Sequence, residues 1–187
     1  MKIIKNIFLV SIAVLFVACD GDDYSGDVPE QKQTQFRVIA QGASVVQVKS
    51  MTNPATGEEV EGFCFLMDMV DADTGEVIGT VNDCDVKTTE FPDGTIVSTV
   101  VTTFNFDGKG SITSVSEVLQ TPIGDGKFTT DATPTENNIF ATTFDFEGGK
   151  GKVTLVGEID LSKFDQNIVG FDCNFTIDLE SYGIKSQ

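Results

Sequence analysis

From Val169 the chain alternates strictly: Val169, Phe171, Cys173, Phe175, Ile177 and Leu179 are apolar, and Gly170, Asp172, Asn174, Thr176, Asp178 and Glu180 between them are small or polar. A period of two belongs to an extended strand with one dry face and one wet face. Val153, Leu155, Ile159 and Leu161 repeat the pattern against Lys152, Thr154, Glu158 and Asp160, and Phe104 and Phe106 share a face with Val100. No stretch gives a convincing helix. The pattern predicts half-buried strands of an antiparallel sheet. Between them stand turn signals: Asp73-Thr74-Gly75, Asp107-Gly108 and Gly148-Gly149. Each reads as the tip of a hairpin.

Two of these hairpins echo each other. The run from Val101 to Gly110 (VTTFNFDGKG) reappears from Ala141 to Gly151 (ATTFDFEGGKG) with one glycine inserted. Duplication and convergence account for this equally well, since Thr, Phe and Gly suit any such hairpin. The strand count comes near eight, the number that closes into an antiparallel barrel filled by its own side chains or holding one small ligand.

The N-terminus follows a different rule. Lys2 and Lys5 precede an apolar run from Ile7 to Ala18 that ends at Cys19. Twelve helical residues reach about 18 Å against a hydrocarbon core of roughly 30 Å, too short for an ordinary membrane span. The segment resembles a bacterial lipoprotein signal peptide, residues 1–18, with Phe16 where leucine is usual and small Ala18 before the cysteine. That resemblance implies cleavage before Cys19, lipidation of Cys19 and membrane attachment through its acyl chains. Residues 19–33 are acidic and poor in apolar side chains, which predicts a flexible tether, and 34–187 are left as the barrel domain. Asp20-Gly21-Asp22-Asp23 resembles the surface-export signal of some outer-membrane lipoproteins, which implies a lipid-anchored place on the cell surface. In other systems Asp directly after the cysteine retains a lipoprotein in the inner membrane.

Composition narrows the chemistry. The formal charge is −17, and the two lysines of the signal leave with it, so the mature part carries −19. Such a surface repels nucleic acid and anionic lipid. The chain has no histidine, which excludes Ser-His-Asp and Cys-His nucleophile systems and histidine metal sites. Trp is absent and Tyr occurs twice, whereas Phe occurs fifteen times. A dry, Phe-rich interior is the simplest place for those rings.

The residues from Phe63 to Thr80 (FCFLMDMVDADTGEVIGT), followed by Cys84, resemble the early hairpin of the allene oxide cyclase and dirigent-like barrels. Thr103–Gly110 and Phe144–Val153 are similar to that family's mid-chain and near-terminal hairpins. The resemblance spans about Gly62 to Leu179 and implies an eight-stranded, calycin-like barrel. The family's enzymes cyclise an unsaturated fatty-acid epoxide, and its dirigent members steer phenol coupling. The plant cyclase uses Glu and Asn on its first strand; Gln33–Ala40 shows neither, so no catalytic residue is carried over.

Other candidates are weighed on their residues. Asp71-Ala-Asp-Thr-Gly-Glu76 begins like a calcium loop, but Glu76 stands where glycine is needed and Asn82 where a bidentate glutamate is needed, so it reads as a turn. No metal site and no cofactor is expected. Asp83 and Asp85 share one face of a strand, read as solvated, with a carboxylate pair as the alternative. Cys173, among Phe171, Phe175 and Ile177, reads as a small core residue. If Asp73-Thr74-Gly75 forms a three-residue loop, Ala72 pairs with Glu76 and opposed residues sum to 148. Cys64 then faces Cys84, as a disulfide permitted by export or as two packed thiols.

The sequence therefore predicts a non-catalytic binding or interaction module with a small apolar ligand or a partner protein. The predicted barrel-interior contacts are Phe104, Phe106, Phe144, Phe146, Phe171 and Phe175. Two alternatives stand beside it: a cofactor-free isomerase or cyclase, and a structural lipoprotein whose barrel is filled. The enzyme needs both an open interior and an ionisable side chain pointing into it, the binding module needs the open interior, and the structural protein needs neither.

Overall fold

The computed structural model describes residues 31–182. Cys19, the signal segment and most of the tether lie outside the described residues. The strands are β1 (Gln31–Val45), β2 (Gln47–Thr52), β3 (Glu59–Asp71), β4 (Val77–Glu90), β5 (Ile96–Phe106), β6 (Gly110–Gly124), β7 (Lys127–Ala132), β8 (Ile139–Thr142), β9 (Lys150–Asp160) and β10 (Ile168–Tyr182), with two short 3-10 turns at Phe144–Phe146 and Phe164–Gln166. β1 begins at Gln31, inside the stretch read as tether.

Neighbouring strands pair antiparallel in the order β1-β10-β9-β7-β6-β5-β4-β3, and β1 also pairs with β3, so eight strands close into a barrel. The two remaining strands are continuations. β1 pairs with β3 through Val38↔Asp71 and β2 through Gln47↔Cys64, so the first stave is one bent strand whose register slips by two between the two pairings. Across the slip the Ser44 hydroxyl accepts from the Leu66 N–H at 3.0 Å and donates to the Leu66 carbonyl at 3.1 Å, replacing the lost backbone pair. β7 and β8 likewise share one stave, pairing with opposite ends of β6. Between them the buried Asn138 amide accepts from the Val153 N–H at 2.8 Å and donates to the Val153 carbonyl at 3.1 Å, completing the ladder of β9.

The echoed hairpins therefore part company. Phe106 pairs with Gly110 around a tight turn. The second copy is no hairpin: β8 pairs with β6, and the chain turns through Phe144–Phe146 before β9 begins. Phe144, placed by sequence on the dry side of a strand, has φ +51° and is 80% exposed. The backbone leaves the strand at Phe144, so the alternation that holds at Phe104 and Phe106 does not extend to it.

The turn after β3 also differs from the sequence reading. Asp71 N–H donates to the Glu76 carbonyl at 2.9 Å, so the loop has four residues, and the Asp71 carboxylate caps it by accepting from the N–H groups of Asp73 (2.9 Å) and Thr74 (2.8 Å). Those two bonds hold its carboxyl below the usual range. Val70 faces Val77, a bulge follows, and from Met69↔Gly79 onward opposed residues sum to 148. The misread loop and the unforeseen bulge cancel, and Cys64 lies opposite Cys84, joined to it by a disulfide across Cα atoms 4.0 Å apart.

Candidate functional site

The barrel has two unlike halves. At the end holding the β3–β4 and β5–β6 turns, Phe36, Phe106 and Phe146 pack as a triad with ring centroids 5.0 to 5.8 Å apart. Behind them Phe104 meets Phe175 edge to face at 5.2 Å, with Met69, Ile112 and Ile177 fully buried alongside. This half is closed. At the opposite end the interior opens into a cavity of 280 Å3. Phe63, Phe65 and Met67 of β3, Leu155 and Ile159 of β9, and Val169, Phe171 and Phe175 of β10 give it an apolar wall. The other wall, from β4 to β7, contributes Asp83, Asp85, Thr88, Ser98, Gln120 and Thr130.

The structure thus divides the six predicted interior rings. Phe171 and Phe175 line the cavity, Phe104, Phe106 and Phe146 belong to the closed half, and Phe144 is on the exterior. Phe171 packs against Phe65 at 5.1 Å.

The expectation for Asp83 and Asp85 is overturned. They face the cavity, not bulk solvent, and their cross-strand partners explain why. Asp83 lies between Phe65 on β3 and Thr102 on β5, and Asp85 between Phe63 and Val100. Opposed residues in a sheet share a face. Both side chains are half-buried, open to the cavity and otherwise surrounded by protein. The Thr102 hydroxyl donates to Asp83 at 2.5 Å, while the Asp85 carboxylate has no hydrogen-bond partner among the described residues. Desolvation raises the Asp83 carboxyl to about 6, against the lowering effect of Thr102. Desolvation, and then the charge of Asp83, raises Asp85 to about 7.

This site was within reach of the sequence. The register that sets Cys64 opposite Cys84 also sets Phe65 opposite Asp83 and Phe63 opposite Asp85, and the phenylalanines mark the dry side. Cys84, between the two aspartates, lies on the opposite face of β4 and is buried there, so the disulfide ties β3 to β4 directly behind the pair. Cys173 is a buried free thiol at the cavity wall, pushed up to about 12 by burial and by the charge of Asp83. A thiol so reluctant to ionise is a packing group.

Two carboxyls with raised proton affinity in an apolar hollow can accept hydrogen bonds, hold a cation or exchange one proton. In class, the fold and site define a closed eight-stranded antiparallel barrel with a half-filled interior and an acidic cavity. No family model, curated protein or solved structure matches the chain.

Proposed function

We propose that this protein is a lipid-anchored binding module whose open half takes up a small, largely apolar molecule. The cavity carries this reading. An apolar cavity of about 150 Å3 holds benzene, so 280 Å3 has room for a body of roughly twice that size. The turn and strand-edge motifs from Gly62 to Leu179 support kinship with the allene oxide cyclase and dirigent-like barrels. Lipidation of Cys19 supplies the membrane contact, and the acidic run behind it supports display at the outer-membrane surface. β1 begins at Gln31 and its Phe36 belongs to the closed half, so the cavity mouth lies at the end of the barrel away from Gln31. Replacing Cys19 with Ala should release the mature protein from membranes or leave it uncleaved; a mature variant still in the membrane fraction would argue against the anchor.

Val118→Phe tests the cavity, because the new ring is directed into it. Neutral apolar compounds such as 2-phenylethanol should raise the melting temperature of the native chain and leave the variant unmoved. If no such compound moves the native protein, the binding reading fails. A second reading, a cofactor-free isomerase, is favoured by Asp83 and Asp85 facing the cavity, since one carboxylate can take a proton from a bound substrate while its protonated neighbour returns one elsewhere.

A further inference from the structure

The cavity's charge selects among apolar ligands. Asp83, Asp85 and Cys173 are the titratable residues among the described lining, and no lysine or arginine accompanies them. Arg37 with Asp73, the ion pair among the described residues, lies exposed on the closed half. Each carboxylate stands directly across the strand from a phenylalanine, Asp83 from Phe65 and Asp85 from Phe63. Carboxylate and ring face together suit an ammonium group, which gains from both the full charge and the ring quadrupole. Farther round the wall Gln120 and Thr130, opposed across β6 and β7, are 7% and 4% exposed, and neither side chain has a hydrogen-bond partner among the described residues. Their amide and hydroxyl are open to the cavity and unbonded within the described protein, so a ligand or water there can complete them. The same uncompensated negative charge opposes a fatty acid or any other apolar anion.

We propose that the ligand is an apolar amine, its ammonium group seated on Asp83 and Asp85 between the Phe63 and Phe65 rings, its hydrocarbon body against Leu155, Ile159, Val169 and Phe171. This rests on the binding reading above and names the ligand's chemistry. The amine neutralises a pair that is costly to ionise alone, so binding strengthens as rising pH removes the carboxyl protons and weakens as they return.

The test is calorimetric titration of the full chain at pH 8 with three probes of one shape: 2-phenylethylamine, 2-phenylethanol and 3-phenylpropanoate. The amine should bind at least tenfold more tightly than the alcohol, with the carboxylate weakest. Asp85→Asn, which keeps the side chain's shape, should bring the amine's affinity down to that of the alcohol, and so should lowering the pH to 5 in the native chain. Asp83→Asn provides the same readout should Asp85→Asn fold poorly. An amine no better than the alcohol, or an advantage that survives both substitutions, overturns the amine assignment and leaves the cavity reading standing. Failure of all three probes overturns both.

Discussion

The closed and open halves of this barrel are built from the same strands under the same alternation, yet one is solid and the other hollow. In the closed half the inward positions carry Phe36, Phe104, Phe106, Phe146, Ile112 and Ile177, and an eight-stranded interior is only just wide enough for side chains of that size. In the open half β4 to β7 turn Asp83, Asp85, Ser98, Gln120 and Thr130 inward. These are shorter than phenylalanine and carry polar atoms that resist dry packing. Strand geometry decides which residues enter the barrel, and side-chain volume and polarity decide whether they fill it.

The sharpest way to break this comparison is to truncate one ring in each half. Phe104 is fully buried, so Phe104→Ala should leave a cavity and cost about 3–5 kcal/mol in equilibrium denaturation. Phe171 already borders empty space, and Phe171→Ala should cost about 1–2 kcal/mol, because fewer contacts are lost. Equal losses would mean that the open half is packed as tightly as the closed one in solution. A further contrast should appear on adding 2-phenylethanol, which should recover stability in the native chain and not in Phe171→Ala.

Much of this architecture was legible in the sequence because a period of two depends on neither turn type nor register. β9, β10 and the hairpin of β5 and β6 follow it, and the closed all-β barrel follows from them. Where the backbone leaves the strand, alternation carries no information, which is why Phe144 was placed inside and is outside. Bulges escaped for a related reason. Gly79, the first residue past the shift, approaches its neighbour so closely that a Cβ there would lie 1.9 Å from the Asn105 carbonyl oxygen, and nothing in a polar-apolar string marks such a contact. The carboxylates differ from expectation on other grounds. Acidic side chains ordinarily mark a wet face, and here that habit outweighed the register that opposes each of them to a phenylalanine. The cavity itself was not legible, because it depends on summed volume around a ring of eight strands.

The smaller expected effect sharpens the comparison through pH. Asp83 and Asp85 have folded-state proton affinities near 6 and 7 against 3.8 in the unfolded chain, so between those limits the folded protein binds more protons than the unfolded one. Stability contributed by the bound protons is therefore complete below about pH 4 and declines as pH rises through 6 and 7. Other carboxylates run the opposite way: Asp71 and Asp93, capped by backbone N–H groups, and Asp160, held by the hydroxyl and then the N–H of Ser162, bind protons less readily when folded and lose their contribution only in acid. Asp85→Asn removes the larger of the two raised affinities and is expected to stabilise the empty barrel at pH 8 by roughly 1–3 kcal/mol, less than the full shift because water enters the cavity. Below pH 4 the variant and native chains should be nearly equal. Denaturant midpoints measured from pH 4 to pH 8 decide the matter: a native curve that falls toward pH 8 while the Asp85→Asn curve stays flatter places an ionising carboxyl in the open half. Parallel curves would place Asp85 in bulk water and remove the electrostatic difference between the two ends of the barrel.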